Sequence, residues 1–194
     1  MSSVTVQEVT TRKDLRSFVR FPWRVYKGDP NWVPPLISDQ MKYLTPEENP
    51  FFQHSEATLY LAKRSGEILG SIAPCINRRD GQCMEEKAGT FGFFEVLDDL
   101  DAAAALLHSA AAWVKARGMK LLRGPYSFTR NDRPGMLIEG RDIPPVALAG
   151  HTPPYYPTLL EQCGMEKHSD SYAWRAVRAQ IGEDLQNVPA EILR

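Results

Sequence analysis

Phe91-Gly92-Phe93-Phe94-Glu95-Val96-Leu97-Asp98-Asp99-Leu100-Asp101 runs directly into an alanine- and leucine-rich stretch that ends at Lys115-Ala116-Arg117-Gly118. The aromatic and β-branched residues predict a strand over Gly89 to Val96. Ala102 to Arg117 reads as the clearest helix of the chain. Asp98, Asp99 and Asp101 open it, Lys115 and Arg117 close it and Gly118 stops it, so its charges complement the macrodipole at both ends. Asp99 or Asp101 is the expected N-cap. Met119 to Arg123 then reads as a short apolar strand ended by Gly124-Pro125.

Upstream, Val4, Val6 and Val9 alternate with polar residues and predict a first strand, after which Thr11 offers an N-cap for a helix from Arg12. Leu15, Phe18, Val19, Trp23 and Tyr26 fall near one face of it. Arg12, Arg16, Arg20 and Arg24 recur every four residues as a solvated stripe, with a break expected at Pro22. From Pro22 to Pro50, both included, the chain carries six prolines and several aromatics, an ordered cover segment with one short helix near Leu36 to Leu44. Ala57 to Lys63 and Ile68 to Ile76, joined through Ser65-Gly66, read as two antiparallel strands. Downstream, the proline- and glycine-rich residues 124 to 157 have the composition of a long loop that lines a site. A short helix from Tyr156 to Cys163 stops at Gly164, and Tyr172 to Val177 reads as a late strand.

With 194 residues, 43% of them apolar, the chain can bury one sizeable core. One domain is expected over residues 1–180, with 181–194 as a tail or the start of a following segment. Opposite charges nearly cancel, 23 Lys and Arg against 24 Asp and Glu. This argues against nucleic acid or an anionic membrane as a partner. The longest charge-free stretch, Ile143 to Leu160, holds five prolines and is no membrane span. Without a secretory signal at Met1 to Val6, the expected location is cytoplasmic. Cys75, Cys83 and Cys163 form no CxxC pair and read as reduced packing residues. His54, His108, His151 and His168 share no ligand spacing, so no metal site is expected, although His151 lies in the loop before Pro153-Pro154, where a substrate pocket could open. No phosphate-binding loop, zinc pattern or nucleophile elbow is present.

Three segments carry a resemblance. Phe91 to Glu95 leading into the long helix, Arg123-Gly124-Pro125-Tyr126-Ser127-Phe128 with Asn131-Asp132, and Pro153-Pro154-Tyr155-Tyr156 leading to Leu160-Glu161-Gln162-Cys163-Gly164-Met165 resemble the GNAT acyltransferases, in particular a group of uncharacterised bacterial GNAT-like proteins. The resemblance spans nearly the whole chain. It implies an α/β (α+β) fold with a central mixed, mostly antiparallel sheet flanked by helices, and transfer of an acyl group from acetyl-CoA or another acyl-CoA to an amine on a small molecule or peptide. It also implies coenzyme contacts at Phe94, Val96, Leu97, Ala102 and Asn131, with pantetheine along the first of two splayed strands and the pyrophosphate on the helix N-terminus. Members of the group tend to be longer, which points to a second GNAT-like domain or a homo-oligomer as partner.

Acyl transfer needs a base for the ammonium proton and an acid for the departing thiolate. The resemblance makes Glu95 the base and Tyr155 or Tyr156 the acid. The chain departs from the family at the pyrophosphate signature: Val96-Leu97-Asp98-Asp99-Leu100-Asp101 contains no glycine and three carboxylates. Two like charges about 5 Å apart repel by roughly 3 kcal/mol at an effective dielectric of about 20, which is more than one hundredfold in affinity. This departure gives a second reading, a GNAT-like binding module without catalysis, and the end of the sequence at Arg194, just after a helical start, gives a third, one half of a tandem pair.

Overall fold

A computed structural model describes residues 2–79, 87–129, 134–146 and 149–173. Six strands form one mixed sheet: β1 Thr5–Glu8, β2 Ser55–Ala57, β3 Tyr60–Arg64, β4 Glu67–Asn77, β5 Ala88–Val96 and β6 Leu121–Arg123. Their order is β1-β3-β4-β5-β6, with β2 paired to the far end of β4. All pairings are antiparallel except β5 with β6. The helices are α1 Arg12–Arg20, α2 Pro22–Val25, α3 Ile37–Tyr43, α4 Leu100–Lys115 and α5 Tyr156–Gln162, with a short 3-10 turn at Pro50–Gln53.

Local sequence explains most boundaries. Thr11 caps α1 by accepting from the Asp14 amide at 3.1 Å, and Pro22 begins α2 because it has no amide to continue α1. Asp99, rather than Asp101, caps α4 through the Ala102 amide at 3.0 Å. The strand expected over Ala57 to Lys63 is two strands. Thr58 and Leu59 break it, and β2 pairs with Cys75 to Asn77 while β3 pairs with Glu67 to Ile72. Of the late strand expected from Tyr172, residues 172 and 173 are not strand and the rest lies outside the described residues, as does Cys83.

Helices cover both faces of the sheet. On one, α4 and α5 pack Leu106, Leu107, Ala110, Tyr156, Leu159 and Leu160 against Ile72, Phe91, Phe94 and Val96. On the other, α1, the end of α3, the 3-10 turn and the segment after β6 bring Phe18, Val19, Leu44, Phe51 and Phe128 against Leu61, Ala73 and Cys75. Leu106 is fully buried. Leu106→Ala is therefore expected to cost about 2–5 kcal/mol of stability, measurable by denaturant titration.

One irregularity in β5 decides where the site lies. Ser71 pairs with Glu95 but Ala73 pairs with Gly92, so Phe93 and Phe94 together stand opposite Ile72. Phe93 sits at φ +47, and Ser71 Oγ donates to its carbonyl at 3.1 Å. This bulge inverts the side-chain alternation of the strand. Phe91, Phe94 and Val96 face α4, whereas Phe93 and Glu95 face α1 and α3. Strict alternation from Phe91 would have turned Glu95 into the α4 core.

Candidate functional site

Beyond the bulge, β5 loses its outer neighbour. β6 pairs only with Ala88 to Thr90, and after Gly124 the chain makes one further bond, from the Tyr126 amide to the Phe91 carbonyl at 2.7 Å. The edge of β5 from Phe93 to Val96 faces a gap, and α5 fills it. Tyr156 Oη accepts from the Val96 amide at 2.9 Å and donates to Glu95 Oε2 at 2.9 Å. Tyr155 Oη donates to the Val96 carbonyl at 2.7 Å. Burial raises both phenols well above their ordinary pKa, and the negative charge of Glu95 adds to it.

The structure thus brings Glu95, Tyr155, Tyr156 and Val96 together. Tyr156 is completely buried and its one proton is committed to Glu95. It positions that carboxylate. Phe94 is core against α4, Leu97 is partly buried on the same cluster, and Ala102 is buried with its amide bonded to Asp99. Asn131 lies outside the described residues.

On the α1 side, Glu95 and Ser71 floor a cleft of about 40 Å³ walled by Phe18, Pro22, Trp32 and Pro35. It has room for about three waters or one ammonium group on a slim chain. Its wall includes Leu44, which also lines a groove of about 950 Å³ between α1, α3 and the link from β2 to β3 at Ala57 to Leu59. The groove floor is apolar, with Val9, Leu15, Met41, Phe52 and Leu59, and Arg12, Lys13, Arg16 and Lys42 stand among its lining residues. Of the arginine stripe, Arg24 is used differently: it pairs with Glu67 at 2.7 Å and donates to the Ile68 carbonyl.

Sequence reasoning missed the device that holds Trp32 in this wall. The His151 side chain is buried, and its Nε2 lies 2.7 Å from Asp29 Oδ2, which holds the Asp29 carboxyl below the ordinary carboxylate range. Tyr26 Oη donates to the His151 carbonyl at 2.8 Å, and the Tyr26 ring stacks on Trp32 at 4.7 Å. Residues 125 positions apart make this contact, so only the aromatic content of the cover segment hinted at it. Among the described residues no group of three or more His, Cys, Asp or Glu is placed to hold a metal ion, and no helix is long and apolar enough to cross a membrane.

At the start of α4, Asp99 is clamped. Arg64 Nη1 meets Asp99 Oδ2 at 2.5 Å and Arg64 Nη2 meets Asp101 Oδ2 at 3.1 Å, holding the Asp99 carboxyl below its ordinary range. Those residues do not fit a coenzyme diphosphate, because the first turn already carries two carboxylates and their counter-ion.

Tyr156→Phe removes the partner of a buried amide and of Glu95 while keeping the ring. It is expected to cost about 1–3 kcal/mol in a thermal or denaturant melt.

No family model matches the chain. Over 176 residues it is 35% identical to Protein YghO of Escherichia coli (strain K12), covering 91% of this chain and 45% of that one. It is 36% identical to the bacterial ceramide synthase of Caulobacter vibrioides, again over 176 residues, covering 90% of this chain and 46% of that one. The chain therefore spans about half the length of the curated relatives it matches. Among solved structures, an aminoglycoside N-acetyltransferase in complex with coenzyme A superposes with a TM-score of 0.53 at 12% identity, covering 91% of this chain and 96% of that one. With its mixed, mostly antiparallel sheet splayed after β5 and flanked by helices, the chain has the fold of the GNAT acetyltransferases.

Proposed function

We propose that this chain acts in N-acylation, moving an acyl group from a thioester to a primary amine carried on a slim aliphatic chain. The observation that carries this reading is the Glu95 carboxylate, fixed by Tyr156 on the floor of a narrow, largely apolar cleft at the splay of the sheet. A ceramide is an amide of a long-chain amino alcohol, so the 36% identical ceramide synthase supports an amine of this kind. The apolar groove on the far side of Leu44 is of a size and polarity that suit an aliphatic chain.

Glu95 receives the proton of the ammonium group. The freed nitrogen attacks the thioester carbonyl carbon, the new C–N bond forms, the C–S bond breaks and the thiolate leaves, and the second proton lost by the nitrogen restores the tyrosine that protonates the sulfur. Tyr155 is the better placed of the two tyrosines to protonate that sulfur, since it is half-buried and its hydroxyl bonds a backbone carbonyl.

A second reading, a GNAT-like binding module without turnover, is favoured by the tyrosines on Val96 and the clamped start of α4. One assay separates them. The chain is mixed with n-octylamine and octanoyl thioesters and the amide is measured by mass spectrometry. Amide above the uncatalysed rate supports the transferase, whereas amine binding without amide supports the module.

A further inference from the structure

We infer that this chain recognises its acyl donor by the thioester end alone, because its own side chains fill the places where a coenzyme's diphosphate and pantetheine amides would bind. The inference rests on the N-acylation reading for its donor class and on separate geometry for its content.

A helix N-terminus attracts phosphate because its first amides lack partners. In α4 the Asp99 carboxylate already takes part of that set, the amides of Asp101 and Ala102. The Ala102 amide donates to Asp99 Oδ1 at 3.0 Å, the Ala103 amide to the Asp99 carbonyl at 3.0 Å, and the Asp99 amide to the Leu97 carbonyl at 2.6 Å. The charge is satisfied as well. Arg64 reaches across from β3 to bond both oxygens of Asp99, at 2.5 and 3.2 Å, and Asp101 at 3.1 Å. The chain thus carries its own anion at the helix start and its own cation to neutralise it. A diphosphate arriving there would meet two carboxylates.

The strand edge is closed in the same way. An extended pantetheine arm would exchange amide hydrogen bonds with the open edge of β5, yet the Val96 amide and carbonyl are both taken by the tyrosine hydroxyls. Tyr156 is buried under α4 and its hydroxyl is also held by Glu95, so it does not swing aside without unpacking the core. Tyr155 and Tyr156 act on the open edge of β5, and Arg64, Asp99 and Asp101 act at the start of α4.

The test compares octanoyl-CoA with octanoyl-pantetheine as donors to n-octylamine, with free coenzyme A as competitor. Equal kcat/KM for the two donors, within about threefold, and no inhibition by millimolar coenzyme A are expected. A tenfold or greater preference for octanoyl-CoA, or micromolar competition by coenzyme A, overturns the inference. If neither donor yields amide, the N-acylation reading fails by itself, and calorimetric titration with coenzyme A decides the geometry: no heat to millimolar ligand upholds it, saturable micromolar binding overturns it. Asp99→Ser with Asp101→Ser keeps a capping oxygen and frees Arg64 as a phosphate ligand. This variant is expected to gain coenzyme A affinity at least tenfold, and no gain would show that the carboxylates are not the barrier.

Discussion

Replacing Glu95 by Gln is expected to lower the rate of amide formation by about 10²–10⁴ at neutral pH while leaving the fold intact. The side chain keeps its shape, and its amide oxygen still accepts the Tyr156 hydroxyl now bonded to Oε2 at 2.9 Å. What is lost is a proton acceptor. Because the cleft admits only a slim group beside Ser71 and Phe93, a displaced water is a poor substitute for the base. Amide production is read by mass spectrometry against a melting curve of the same sample. Undiminished turnover with an unchanged melt would remove Glu95 from the chemistry, and a collapsed melt would mean that the carboxylate is structural.

Gly92→Ala should be among the most damaging single substitutions to stability, with an expected loss of about 3 kcal/mol or more and a melting temperature lower by about 10 °C. A Cβ at this position would lie 1.5 Å from the Tyr126 carbonyl oxygen, a backbone atom with no rotamer to escape into. The neighbouring bond from the Tyr126 amide to the Phe91 carbonyl would stretch or break. That bond is where the chain leaves β5 and the splay begins, so the substitution should also weaken binding of n-octylamine in the cleft. Thermal unfolding measures the first effect and calorimetric titration with the amine the second. A melt within about 1 kcal/mol of the parent would show that the strand yields at this point.

Much of the fold was legible because it is written locally. The alternation of Val4 and Val6 with polar residues at β1, Thr11 before α1, the acidic start and Gly118 stop of α4, and Gly164 after α5 each satisfy a patterning, hydrogen-bonding or conformational requirement within a few residues. The misreadings share a cause: where β2 gives way to β3, the interruption is imposed by which part of β4 each segment pairs with, and no nearby residue announces it.

The site divides the same way. The sequence by itself determined that Glu95 ends a strand, that two adjacent tyrosines precede a short helix, and that three carboxylates replace the glycines of a phosphate loop. Only the tertiary structure decided what these groups do. The bulge at Phe93 turns Glu95 away from α4 and into the cleft, and Tyr156 reaches from 60 residues away to occupy the Val96 amide. Arg64, 35 residues before Asp99, converts a repulsive acidic turn into an ion-paired clamp. His151 fixes the Trp32 wall through Asp29 and Tyr26. The physical reason is that propensity, capping and charge at helix ends act within a turn or two of the chain. Side-chain direction and the partners of buried polar groups depend instead on strand register and on packing between residues far apart in sequence.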